Sequence, residues 1–145
     1  MNRLPVLYGY AGIIPFAIIA LTMMFVDVTS SEELKAGGML QVAYGAMILS
    51  FLGGIHWGQA IPRHHTRQIT FSMIPTIAGF VMFILAVFGL VFTALIGTAV
   101  MFFVVYEADK RMMPVEYLPP GYFRYRRNLT FIVVGLLIVT AVTVI

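Results

Sequence analysis

Apolar and polar positions fall along this chain in long blocks. Five apolar blocks, residues 5–26, 36–60, 69–87, 90–106 and 128–145, are separated by short polar segments. A helix needs about twenty mainly apolar residues to cross a bilayer. In lipid each backbone polar group must be satisfied within the fold, so helices are the form these blocks take. The third and fourth blocks come from one run, Ile69 to Tyr106, which holds 38 residues without a charge. As a single helix it would be about 57 Å long, nearly twice the ~30 Å hydrocarbon thickness. It must fold back, and Gly89 near its midpoint is the expected hairpin. Pro15 stands inside the first block, where a proline removes a backbone hydrogen bond and bends a helix. The segment Asp27 to Lys35 reads as a polar loop in which Ser31 or Ser30 caps the next helix. Pro114, Pro119, Pro120 and Gly121 mark 107–127 as the one sizeable polar loop.

Composition turns this pattern into a class. Hydrophobic residues make up 61% of the 145 and charged residues 10%, against roughly half and a quarter in a soluble domain. A chain of this size cannot hide that excess in a core, so lipid is its solvent. The absence of cysteine excludes disulfides, thiolate metal sites, iron–sulfur clusters and covalent c-type haem. Arg3 precedes an apolar run longer than a signal core, with no A-x-A site after it, so the first span is expected to stay in the mature protein. Basic residues favour cytoplasmic loops. With five spans and a cytoplasmic N-terminus, every one of the nine Lys and Arg residues except Lys35 lies inside. The expected fold class is therefore all-α integral membrane: one domain, 1–145, forming a compact bundle of five transmembrane helices with the C-terminus outside. No internal repeat is visible.

The candidate chemistry lies mainly in Gln41–Gln59, QVAYGAMILSFLGGIHWGQ. Ala46, Ser50, Gly54 and Gly58 recur every four residues and form a small-residue stripe ending in GxxxG, which lets helices approach closely. Gly89, Thr93 and Gly97 make a weaker stripe that is expected to receive it. His56 lies about 200° round from Gly54, on a face shared with Gln41, Gly45, Gly53 and Gln59. An ionisable residue within a span is a functional candidate. With Gln41, Gln59 and Trp57, His56 makes a candidate polar intramembrane site. The plainer reading is a histidine bonded to a neighbouring helix near the headgroup level. His64 and His65 are adjacent in a loop, without a ligand set around them, and are expected to be solvated; no metal is expected. Glu107, Asp109 and Glu116 alternate with basic residues and read as a charge-balanced loop. Tyr122, Arg124, Arg126 and Arg127 read as headgroup contacts, each basic residue adding about 1 kcal/mol of attraction to anionic lipid. No G-x-S-x-G, P-loop or paired-carboxylate spacing points to an enzyme.

YAGIIPF at Tyr10–Phe16 and YGAMILSFLGGIHWG at Tyr44–Gly58 resemble the small multi-span proteins grouped as the domain of unknown function 3429 family. The stretch near Asp109 and the aromatic–arginine stretch Tyr122–Arg127 resemble the family's later segment. Tyr125 and Arg126 depart from the more aliphatic residue expected beside the arginine. The resemblance implies the span count and a bacterial inner-membrane or mitochondrial-type location, and brings no activity with it.

The expectation is a non-enzymatic accessory, assembly or scaffold component of a bacterial inner (plasma) membrane. Its partners would be membrane lipids and either a second copy or a larger complex, with no nucleic acid and no cofactor. Two alternatives are a small oligomeric carrier or proton-conducting protein using His56, and a quinone- or haem-binding component.

Overall fold

The computed structural model describes residues 3–25 and 31–145. Its helices are α1 (Arg3–Ala11), α2 (Ile14–Phe25), α3 (Ser31–Arg63), α4 (Thr66–Ser72), α5 (Ile74–Val87), α6 (Val91–Met112) and α7 (Tyr122–Thr143), with a 3-10 turn at Val115–Tyr117. No strand occurs among the described residues. Taken with their interruptions, these helices supply five segments long and apolar enough to cross a membrane: Arg3–Phe25, Glu32–Arg63, Thr66–Val87, Val91–Met112 and Tyr122–Thr143. The chain is an all-α integral membrane protein. The expected cap falls on Ser30 or on the side chain of Ser31, and both lie outside what is described.

Prolines set where the first and third spans break. The first opens at Gly12 and Ile13, one turn before Pro15, which becomes the second residue of α2. A proline ring collides with the carbonyl four residues back and leaves it without a donor, so the bend forms ahead of the proline. In the first turn of a helix its missing N–H costs nothing. The Tyr44 hydroxyl donates to the Gly12 carbonyl at the break, at 2.8 Å. Pro75 repeats the device at the start of α5. The hairpin between α5 and α6 turns at Gly89, whose φ of +94° favours glycine. Leu90 N–H bonds Leu85 C=O and Gly89 N–H bonds Ala86 C=O, the paired closure of a Schellman motif.

Two helices run past their expected apolar limits. The fourth was expected to end at Tyr106, but α6 continues to Met112; the fifth was expected from Asn128, but α7 starts at Tyr122. The polar loop shrinks accordingly, and residues assigned to it become helical. The reason is phase. Phe102, Val105, Tyr106 and Asp109 are all buried on one face of α6, and Arg126 is buried in step with Leu129, Thr130, Val133 and Leu137 on α7. Phe16, Val42, Leu49, Leu95, Val105 and Leu137 are fully buried and form the centre of the core. Outer faces carry Phe51, Ile77, Phe80, Phe103 and Phe131, all exposed, as a lipid-facing surface requires.

Candidate functional site

The buried polar groups divide between the two ends of the bundle. Antiparallel spans bring the start of α1, the end of α3, α4, the end of α6 and the start of α7 to one end. There His56, Gln68 and Asp109 are sealed from solvent and Arg126 nearly so. His56 Nε2 lies 2.6 Å from Asp109 Oδ1, and Arg126 Nε donates to Asp109 Oδ2 at 2.8 Å. Gln68 Nε2 sits 2.9 Å from His56 Nδ1 and donates to Gln59 Oε1 at 3.0 Å. Arg63 Nη2 donates to Gln68 Oε1 at 2.5 Å. The Phe71 ring stands edge-on to the imidazole, with centroids 5.3 Å apart.

Donor and acceptor logic assigns the protons in this cluster. Arg63 has only donors, so the Gln68 atom facing it is the carbonyl oxygen and the amide nitrogen faces His56. That amide donates, so Nδ1 is the acceptor and Nε2 carries the proton, which it donates to the Asp109 carboxylate. His56 is thus a neutral imidazole. Asp109 and Arg126 form the buried charged pair, and the exposed Arg63 adds a positive charge at the rim of the cluster. A lone buried carboxylate would be far costlier. Both ring nitrogens of His56 are engaged, which leaves neither free to ligate haem or metal. Among the described residues no three His, Cys, Asp or Glu side chains come together.

The polar set read from the sequence is only partly one site. His56 and Gln59 meet through Gln68. Gln41 lies about 22 Å away along α3, where Nε2 donates to the Phe16 carbonyl and to Thr140 Oγ1, both at 3.0 Å. Trp57 points outward and is exposed. Asp109 is not part of a solvated loop: it is 1% exposed. Glu116 is exposed in the turn between α6 and α7, and Glu107 makes a 2.9 Å pair with Lys110 at the rim, so those two fit the reading. Arg126 is likewise not a headgroup contact, because Asp109 holds it inside; Arg124 and Arg127 remain exposed and Tyr122 is half-buried. His64 is exposed. His65 is half-buried and caps α4, its Nδ1 accepting from Gln68 N–H at 3.0 Å.

The small-residue stripe also divides. Ala46 packs on Gly79 of α5, while a Cβ at Gly54 or Gly58 would meet nothing within 4 Å. The expected receiving stripe does not receive it: Gly97 packs on Met82. The close approach falls instead at Gly53, where a Cβ would overlap the Ser72 carbonyl.

A cavity of about 500 Å³ opens beside the polar cluster, between α1, α2, α3 and α7. Its lining is mainly apolar, including Phe16, Ile48, Leu52 and Val133, with Tyr122, Arg126 and Thr130 on the α7 wall. Arg126 Nη2 and Thr130 Oγ1 are buried without a hydrogen-bond partner. Sequence reasoning missed Asp109, Gln68 and Thr130. The apolar phase running through Phe102, Val105 and Tyr106 was the available signal for Asp109; no comparable signal marked Gln68.

The family described as "Protein of unknown function (DUF3429)" matches residues 1–142. Transmembrane protein 69 of Xenopus tropicalis is 43% identical over 79 residues, which is 50% of this chain and 30% of that protein. The chain therefore corresponds to well under half the length of this relative. No solved structure matches.

Proposed function

The chain belongs to the DUF3429 family, and on that premise we propose that it is a non-enzymatic accessory, assembly or scaffold component of a membrane complex. In this reading the His56 cluster is an internal clasp. The observation that carries it is saturation: both imidazole nitrogens of His56 and both carboxylate oxygens of Asp109 are bonded within the chain. A reaction centre needs at least one such atom turned toward substrate. The clasp joins α3, α4, α6 and α7, and in lipid interhelical hydrogen bonds replace part of the missing hydrophobic drive.

Two further observations support the reading. The clasp lies at one end of the bundle, about 22 Å along α3 from the Gln41 group, which disfavours a proton path through His56. Gly54 and Gly58 present an open small-residue surface to which a helix of a second copy or of a larger complex can come close. The proposed orientation places the clasp end in the cytoplasm, supported by the basic residues gathered there. The proposed location is a bacterial inner (plasma) membrane or its mitochondrial counterpart.

Reconstitution tests this directly. In vesicles with an imposed pH gradient, the protein should leave proton leakage at the protein-free rate. Leakage that the protein accelerates and His56→Gln abolishes would contradict the clasp reading. Native mass spectrometry after mild-detergent extraction should show a defined assembly that Gly54→Leu disrupts, and a monomer unaffected by that change would count against the scaffold role.

A further inference from the structure

The cavity beside the clasp has a feature that the clasp does not use. Thr98 and Thr140 donate to the carbonyl four residues back, at 2.8 and 2.9 Å, as threonines in helices commonly do. Thr130 does not. The residue is 1% exposed and lines the cavity, and its hydroxyl is buried without a partner. Arg126 lies one turn away on the same wall. Its Nε holds Asp109, while its Nη2, equally buried, is left without an acceptor. Buried polar groups in native structures find partners. Two unpartnered ones on a single apolar cavity wall define a place for an acceptor atom.

Shape and charge narrow the ligand. The cavity volume of about 500 Å³ falls within the ~300–1,000 Å³ of small-molecule sites. Along α7 the lining runs from Tyr122 to Val133, about 16 Å of helix rise. Tyr122, Tyr125 and Arg126 sit toward one end of that stretch, Thr130 lies about 4.5 Å short of Val133, and apolar side chains of the other helices fill the rest. Charge argues against an anion. Among the described lining residues Arg126 alone is charged, and Asp109 already balances it, so an anion buried there would find no net countercharge. A neutral carbonyl oxygen accepts the same hydrogen bonds without that penalty.

We propose that this cavity binds a neutral amphipathic membrane molecule whose head carries a carbonyl oxygen, with Arg126 Nη2 and Thr130 Oγ1 donating to that oxygen and the apolar body lying among Phe16, Ile48, Leu52 and Val133. An isoprenoid quinone and an acyl ester of a glycerolipid share this chemistry. The site is separate from the saturated nitrogens of His56 and does not depend on the accessory role.

The test uses the full chain purified in mild detergent. Decyl-substituted benzoquinone, monoolein and dioleoyl phosphatidic acid are each titrated while the unfolding temperature is followed, since a ligand of the folded state raises it. Either the benzoquinone or monoolein should raise it, and which one does identifies the source. Thr130→Val, which keeps the shape and removes the hydroxyl, should weaken that ligand roughly five-fold, as expected for one neutral hydrogen bond. Val133→Phe should fill the apolar end and abolish the shift; if that variant does not fold, Thr130→Val alone decides. The proposal is overturned if neither neutral ligand raises the unfolding temperature. A stronger response to phosphatidic acid, or an unchanged affinity in Thr130→Val, overturns it as well.

Discussion

Asp109 and Arg126 stand 17 residues apart in the chain and meet at 2.8 Å inside the bundle. The turn between α6 and α7 brings them together. Asp109 also accepts from His56 at 2.6 Å, so one carboxylate ties three spans. The cluster's chemistry follows from this saturation. Its protons are fixed by the partners around them, and no bonding atom of the imidazole or the carboxylate is left for a substrate.

The tautomer of His56 is the first consequence. Nitrogen-15 NMR of histidine-labelled protein at neutral pH should show His56 protonated at Nε2 and bare at Nδ1. Gln68→Leu removes the donor that faces Nδ1 and should shift that resonance. A proton found on Nδ1 would mean that the Gln68 amide is reversed, which the donors of Arg63 do not permit.

Adjacent glycines on α3 should behave oppositely. Gly53→Ala drives a methyl into the Ser72 carbonyl, and overpacking of this kind costs about 1–3 kcal/mol. Gly54→Ala meets open space and should leave the isolated chain unchanged or more stable by about 0.5–1 kcal/mol, the helical preference of alanine over glycine. Unfolding in detergent measures both. Equal effects at the two positions would contradict the packing described.

Much of the fold was legible because membrane helices announce themselves by length: five apolar blocks became five spans, and Gly89 marked the hairpin between the third and fourth. The site was less legible. Charge at Asp109 and Arg126 masked a helical phase that continues unbroken through Phe102, Val105 and Tyr106 on α6 and through Leu129 and Val133 on α7. A charged residue in step with a buried stripe is a pairing candidate, and reading both as surface charges hid the clasp. Gln41 and His56 are both buried on α3, but a face has length, and about 22 Å separates them. Gly54 and Gly58 share a motif with Ala46 and differ from it in what lies opposite, which no single sequence displays.

The contact between α1 and α7 offers another check. A Cβ at Gly9 would overlap the Tyr125 hydroxyl, which donates to the Pro5 carbonyl at 2.8 Å. Gly9→Ala should loosen α1 from α7 and make the N-terminal span more susceptible to protease in detergent. Tyr125→Phe should lower stability by about 1 kcal/mol, one neutral hydrogen bond. Protease patterns unchanged in Gly9→Ala would contradict this contact.

Orientation follows from the proposed cytoplasmic placement of the clasp end. A reporter active only outside the cytoplasm, fused after Ile145, should be active, and one active only inside should be silent. The reverse pattern would place the basic residues near the clasp on the far side of the membrane.

The most direct measurement of the central claim is a double-mutant cycle at the buried ion pair, with Asp109→Leu, Arg126→Leu and the double variant unfolded in the same detergent. Removing one partner of a buried pair leaves an uncompensated charge and costs about 3–5 kcal/mol, while removing both can be close to neutral. The clasp therefore predicts two strongly destabilised single variants and a double variant more stable than either. Losses that simply add would show that Asp109 and Arg126 do not hold each other, and the clasp would fail with them.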